Sequence, residues 1–277
     1  MKNKNKTLVY DDACPMCAWY TDAFVKTGLL DKEERKAFSC ASPELLHHIN
    51  WQRSKNEIPL LDTETGNVVY GIDALLEILG QRCAAIKTIG TVKPINWLLK
   101  KLYNFISYNR KVIVAKKTSI GKIDCTPDYK PFYRILFMLV FLTFNTLILF
   151  PIHRLLEHTI PFYSVSIIEL QLAHAALVTL NCLLAVSLKG KLAIEYLGQV
   201  NMLALETILL FIPLMLLNYF IFSSYGLNVL YLLALTVFIF KEYFRRMDYA
   251  GITTKHQAIV VINLLSLIAF IACLVTL

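Results

Sequence analysis

The chain has 277 residues, 56% of them hydrophobic and only 17% charged, with mean hydropathy +0.53. That is too apolar for an ordinary soluble protein and excludes a disordered or strongly charged one. The net charge of +8 is unevenly placed, because residues 1–130 hold 20 of the 28 Lys and Arg and 14 of the 20 Asp and Glu. A polar front half is joined to an apolar back half.

"MKNKNK" is basic, but the apolar run after it stops at Asp11-Asp12. A secretory apolar region needs about 7–15 residues, so the front half is expected to stay in the cytoplasm. The short run Leu8-Val9-Tyr10 reads as a strand, and a helix follows Cys14 to about Lys26. Cys14-Pro15-Met16-Cys17 lies on the turn between them. Residues 36–42 read as a second strand. Ser42-Pro43-Glu44 is the start of a helix, with Ser42 as cap and Pro43 in the first turn. "EIPLLDTETGNVVYG" reads as a hairpin around Thr-Glu-Thr-Gly, and "GIDALLEILGQR" as a helix. The order β-α-β-α-β-β-α is that of a thioredoxin or glutaredoxin domain. The expected fold is therefore an α/β thioredoxin-like (glutaredoxin-like) domain followed by an all-α transmembrane bundle of about five spans. The expected divisions are a domain over 1–112, a basic juxtamembrane linker over 113–130 and a helical domain over 131–277.

The placement of the two cysteines has a chemical reason. The thiolate is the nucleophile, and a free thiol is mostly protonated at neutral pH. A helix N-terminus favours the thiolate through its unpaired N–H groups and dipole. Cys14 stands there as the attacking thiol. Cys17 is one turn on, placed to resolve a mixed disulfide. Asp11 and Asp12 act in the opposite sense, raising a nearby thiol pKa. A zinc site wants four ligands, whereas His47 and His48 are adjacent and the other cysteines isolated, so no metal is expected. Cys40 reads as a core thiol in a strand, Cys83 and Cys125 as single thiols, and Cys182 and Cys273 as small apolar residues in spans.

Between Arg82 and Arg134 stand 12 Lys and Arg against Asp124 and Asp128. Within it, Ile95, Leu98, Leu99, Leu102, Phe105 and Ile106 share one helical side. Two readings stand. The side closes the soluble core, or it lies on an anionic leaflet with Trp97 and Tyr103 at the interface. Nucleic acid is not expected, because the basic stretch abuts a span.

Apolar segments at roughly 132–150, 165–188, 200–222, 225–240 and 257–277 read as spans, each near the 20 residues that cross a bilayer core. Pro131 and Pro151 mark the ends of the first, and the fourth is short. Lys116, Lys117, Lys122, Lys130 and Arg134 precede the first. Lys189 and Lys191 fall between the second and third, and Lys241, Arg245, Arg246 and Lys255 between the fourth and fifth. The alternate loops hold only Arg154 and, at Ser223-Ser224, no cation. By the positive-inside rule the N-terminal domain faces the cytoplasm of an inner or plasma membrane and the C-terminus lies outside. Gln171, His174 and Asn181 share a helical face; Glu169 lies near that span's outer end, and Asn201 and Glu206 lie in the next. Intramembrane polar groups face the bundle interior. They either stitch helices together, or His174, Glu206 and Glu169 form a polar site serving protons or a quinone-like ligand. His153 and His158 read as an outer loop.

"LVYDDACPMC", "YGIDALLEIL" and "YNFISYNRKVI" resemble the DCC family of thiol-disulfide oxidoreductases over residues 7–112, with Asp12 in place of the family's usual glycine. "CPMC" and "IPLLDTETGNVVYGIDALLEIL" are also similar to glutaredoxins. That resemblance implies a cis proline at Pro59 beside the cysteines, and substrate contacts from Pro59, Gly71 and Asp73. The expected reaction is exchange with protein or small-molecule thiols or disulfides and needs no cofactor, with glutathione, or a quinone supplied by the spans, as candidate electron partner and membrane lipids as surroundings. The other reading is a bundle protein, an assembly factor or carrier, whose front domain senses redox state or docks a partner.

Overall fold

The computed structural model describes residues 5–117, 125–160, 163–220 and 224–276. Lys122, Asp124 and Ser223 lie outside these, as does the side chain of Cys273. The chain divides into two compact units, Met1–Tyr133 and Arg134–Leu277.

The first unit is a four-stranded mixed sheet with helices. Strand β1 (Lys6–Tyr10) is followed by α1 (Pro15–Lys26), β2 (Arg35–Ala37), α2 (Pro43–His47) and α3 (Trp51–Ser54). The hairpin β3 (Pro59–Asp62) and β4 (Val68–Tyr70) leads into α4 (Gly71–Gly80), α5 (Ala84–Thr91) and α6 (Lys93–Val114). The strand order is β2-β1-β3-β4. β1 pairs parallel with β2 and antiparallel with β3, with Leu8 opposite both Arg35 and Leu60. This is the thioredoxin-like arrangement, with β1 central and fully buried at Leu8 and Val9. Its C-terminal end therefore opens into the α1 turn from the middle of the sheet.

Local signals explain most boundaries. Ser42 caps α2 through Leu45 N at 3.3 Å, and Pro15 and Pro43 start helices where no N–H is needed. Strand β2 ends at Ala37 and a 3₁₀ turn, Phe38–Cys40, follows. Cys40 is consequently exposed, not a core thiol. Trp19 is 75% exposed; α1 buries Cys17 and Thr21 and packs Tyr20, Phe24 and Val25 against the core. Ile95, Leu98, Leu102 and Ile106 are exposed along the first turns of α6, while Ser107 and Asn109 to Val112 are buried. Only the C-terminal turns of α6 close the core. Of the two readings for this apolar side, core closure holds only at the C-terminal turns; most of the rest is exposed, and Ile86, Ile89 and Val92 beside it extend the apolar patch.

The second unit is helical: α7 (Pro131–Thr159), α8 (Ile167–Val186), α9 (Lys191–Phe220), α10 (Tyr225–Tyr249), the single turn α11 (Ile252–Lys255) and α12 (Gln257–Thr276). Among the described residues α7, α8, α9 and α10 are long and apolar enough to cross a membrane, and α12 is a further apolar helix of 20 residues. Pro151 and Pro213 sit inside α7 and α9; prolines are tolerated within spans where neighbours re-satisfy the backbone. Pro151 therefore does not end the first span, and His153 is a buried helical residue bonded to Val165 O at 2.8 Å. The fourth span is not short, because α10 runs 25 residues to Tyr249.

One ion pair ties α9 to α10. Arg246, fully buried, donates to Glu206 Oε1 at 2.5 Å and to Gln199 Oε1 at 2.7 Å, and lies 2.8 Å from Glu242. Arg246 thus belongs to the bundle interior, not to a basic loop. Removing one partner of a buried pair strands the other charge. Glu206→Leu is expected to destabilise the bundle by on the order of 3 kcal/mol, read by unfolding in detergent. Unchanged unfolding would remove this pair as the link between the two helices.

Candidate functional site

The site forms where β1 ends and α1 begins. The backbone turns at Asp11 so that Cys14 N–H donates to Asp11 O at 3.2 Å and Ala13 N–H donates to Asp11 Oδ1 at 3.0 Å. This turn delivers Cys14 to the N-cap of α1, with Pro15 as the first helical residue. Cys17 follows in the first turn. Both thiols are free, and both are buried, at 2% and 4% exposure. Asp11, Cys14 and Cys17 bring their ligand atoms within 4.8 Å of one another.

A fourth group arrives from the far end of the domain. Arg110, on the last turns of α6, places Nη1 3.8 Å from Cys17 Sγ and Nη2 3.4 Å from Asp11 Oδ2. Its Nη2 also donates to Lys55 O at 2.9 Å and to the carbonyl of Cys125. Arg110 is buried too, so its charge is weakly screened.

This geometry divides the two thiols. A hydrogen bond from the Cys17 thiol, opposed by burial and aided by the Cys17 backbone N–H and the Arg110 charge, lowers the Cys14 pKa from an ordinary 9.0 to about 6. That difference favours the thiolate by on the order of 4 kcal/mol. Cys17 moves the other way, raised well above its ordinary value by donating that bond and by burial. Burial also raises the Asp11 carboxyl, against the pull of Arg110 and Lys111. Asp11 Oδ2 has no hydrogen-bond partner among the described residues and can take a proton. Asp12 is turned away and accepts from Ser39 Oγ at 3.0 Å.

Three ligand atoms in one cluster invite a metal. A divalent ion here would have three ligands from the cluster instead of four, and it would face the Arg110 guanidinium. The donor set fits a metal poorly.

An apolar cavity of about 280 Å³ lies beside the pair, between α1, α4 and α6. Cys17, Tyr20, Ile72, Leu75, Tyr103 and Arg110 are among its walls. Tyr103 Oη accepts from Ile58 N–H at 2.9 Å, and Gly71 N–H donates to Ile58 O at 2.8 Å. Gly71 adopts φ +62°, and a Cβ there would press on Glu57 and Tyr103 at 3.3 Å. Pro59 opens β3 opposite Tyr70. Its peptide bond is trans, unlike the cis bond that the glutaredoxin resemblance implies. Asp73 is held by Asn96 Nδ2 and Lys100 Nζ, both at 2.8 Å. It joins α4 to α6, and its carboxylate is already engaged.

The three polar residues singled out in the spans do not form one site. Glu169 caps α8 by accepting from Ser166 N–H at 2.8 Å, Glu206 binds Arg246, and His174 lines a cavity in the bundle. Arg110 and Asp11 were not among the expected site residues. The Asn-Arg pair that closes the family resemblance was the signal for Arg110.

In thiolate absorbance measured on a form whose other cysteines are serine, Cys14 should titrate with a midpoint near pH 6, since a lowered pKa populates the thiolate above that pH. Arg110→Gln should move the midpoint upward. A midpoint near 9 in the parent would contradict this geometry.

Residues 8–116 match the family model described as DCC1-like thiol-disulfide oxidoreductase. Searches of the curated proteins and of the solved structures each found no match. The first unit thus carries a DCC1-like domain, and the second carries helices able to cross a membrane.

Proposed function

We propose that the DCC1-like domain is a dithiol–disulfide exchange enzyme working through Cys14 and Cys17, held on the cytoplasmic face of an inner or plasma membrane by the helical unit. The observation that carries this reading is the asymmetry of the pair: one thiol lowered to about 6 at a helix N-cap, the other raised and donating to it. An inert structural pair has no need of a buried guanidinium and a buried carboxyl around it.

The steps follow from the positions. The Cys14 thiolate attacks one sulfur of a substrate disulfide. A Cys14–substrate disulfide forms, and the first substrate thiolate leaves and takes up a proton. Cys17 then gives its proton to Asp11, the nearest carboxyl and one without a hydrogen bond on Oδ2. Arg110, 3.8 Å from Cys17 Sγ, stabilises the thiolate so formed. Cys17 attacks Cys14 Sγ, the second substrate thiolate leaves, and a Cys14–Cys17 disulfide remains. Two electrons have passed to the substrate, and no further cofactor is needed for the exchange. The reverse sequence oxidises a dithiol. Proteins and small thiols such as glutathione are the substrate class, and glutathione or a quinone the candidate electron partner.

Both thiols are covered, so a substrate gains access only as neighbouring groups shift. In this reading Pro59 and Gly71 offer backbone beside the pair, and Asp73 acts indirectly by fixing α4. Their support is that Ile72 and Cys17 wall the same cavity. The cytoplasmic assignment rests on Lys189, Lys191 and Lys255 in or beside alternate connections and on Lys241 and Arg245 in the C-terminal part of α10, Arg246 being set aside as an interior ion-pair partner. The exposed apolar face of α5 and α6, with Lys87, Lys93, Lys100 and Lys101 among it, suits an anionic leaflet.

Cys17→Ser should accumulate mixed disulfides on Cys14, seen by mass spectrometry without reductant, while Cys14→Ser should lose insulin-disulfide reductase activity by at least a hundredfold. Full activity in Cys14→Ser would refute the mechanism and turn attention to the bundle as the functional part.

A further inference from the structure

The helical unit encloses a cavity of about 180 Å³ walled by α7, α8, α9, α10 and α12. Its walls are mainly Leu, Ile and Phe, and among the described residues no Asp, Glu, Lys or Arg reaches it. An apolar protein cavity of about 150 Å³ takes a benzene ring. This one has room for a single ring with small substituents.

Two polar groups on the wall lack a hydrogen-bond partner among the described residues. Asn145 is 1% exposed; its Nδ2 donates to Asn201 Oδ1 at 3.2 Å, but its Oδ1 is buried with no hydrogen-bond partner among the described residues. His174 faces the same cavity and makes no hydrogen bond to any described residue. The other polar wall residues each make a side-chain hydrogen bond. Asn181 Oδ1 accepts from Tyr196 Oη at 2.6 Å, and its Nδ2 donates to Leu177 O at 2.8 Å. Asn263 Nδ2 donates to Asn181 Oδ1, and Thr207 and Thr236 each bond a carbonyl of their own helix. Gln171 Nε2 donates to Thr146 O at 3.0 Å and sets the level of α8 against α7. Asn145 is next to Thr146, and His174 is one turn from Gln171, so the two unpartnered groups flank that bridge.

In a membrane interior an unmet hydrogen-bonding group is costly and is retained for a reason. An acyl tail would fill the cavity and leave both groups unmet. An anion would find no cation there. A neutral ring with a hydroxyl answers both, donating to Asn145 Oδ1 and accepting from a His174 ring N–H.

We propose that this cavity is a binding site for a neutral lipophile with a hydroxyl-bearing ring, of the phenol or quinol class, recognised by Asn145 and His174. The assignment is independent of the thiol chemistry. The test is photo-crosslinking of the full chain in lipid nanodiscs with a phenol carrying a trifluoromethyl diazirine on its ring. Labelled peptides are expected from the cavity walls in α7, α8, α9, α10 or α12. Unlabelled 4-ethylphenol should displace the probe at least tenfold better than ethylbenzene, which has nearly the same shape without the hydroxyl. His174→Leu or Asn145→Leu should abolish that preference. Asn145 also bridges to α9, so His174→Leu is the variant that leaves helix contacts intact. Absence of wall labelling, equal displacement by the two competitors, or a preference kept in both variants would overturn the proposal, the last two pointing to unselective filling or to ordered water as the partner of these groups.

Discussion

The Arg110 guanidinium is the constraint around which the N-terminal domain is organised. A cation at 5% exposure is tolerated only if its charge and its N–H groups are met. The Nη groups of Arg110 meet Asp11, Cys17, Lys55 O and Cys125 O, while its Nε has no hydrogen-bond partner among the described residues. One side chain thereby joins the β1–α1 turn, the end of α3, the last turns of α6 and the chain beyond it. The same charge does the electrostatic work at the thiols. It favours both thiolates and offsets the Asp11 carboxylate. The resulting charge balance is close: one buried cation faces one thiolate and a carboxyl that burial drives towards its neutral form. Remove the cation, and only the Cys17 hydrogen bond and the helix N-terminus support the thiolate against desolvation.

The local features of this domain are legible in its sequence, because short-range physics sets them. The strand–turn–helix around Cys14, the Ser42 cap and the β3–β4 hairpin each depend on a few adjacent residues. The strand order and the seat of Arg110 do not. Cys17 and Arg110 are 93 positions apart, and nothing near either residue announces the other; only the likeness of the Asn109-Arg110 ending to a known family hints at a shared purpose. Periodicity left α6 open, because apolar residues with helical spacing are as compatible with an outward face as with the core. The core reading of Cys40 failed because β2 stops after three residues and the chain leaves the sheet.

In the bundle, hydropathy located every long helix but not its ends. Prolines that look like stops lie within α7 and α9, and α10 extends past its apolar run through Lys241, Glu242 and Arg246 because the last two find partners inside. Polar residues in these helices mostly serve as stitching. Glu206, Asn181, Asn201 and Gln171 each reach across to another helix. Against that economy, Asn145 Oδ1 and His174 stand out as groups without a hydrogen-bond partner among the described residues, on a common apolar cavity. The spacing of Gln171, His174 and Asn181 revealed the shared face but could not say which member was spare.

The central claim is that Cys14 and Cys17 interconvert reversibly between dithiol and disulfide. A redox titration tests it most directly: the purified full chain is equilibrated at fixed glutathione ratios, its thiols are trapped by alkylation, and Cys14 and Cys17 are read by mass spectrometry. A single two-electron transition between roughly −120 and −270 mV, the range of dithiol oxidoreductases, is the predicted result. Failure to form a Cys14–Cys17 disulfide at any ratio would contradict the account.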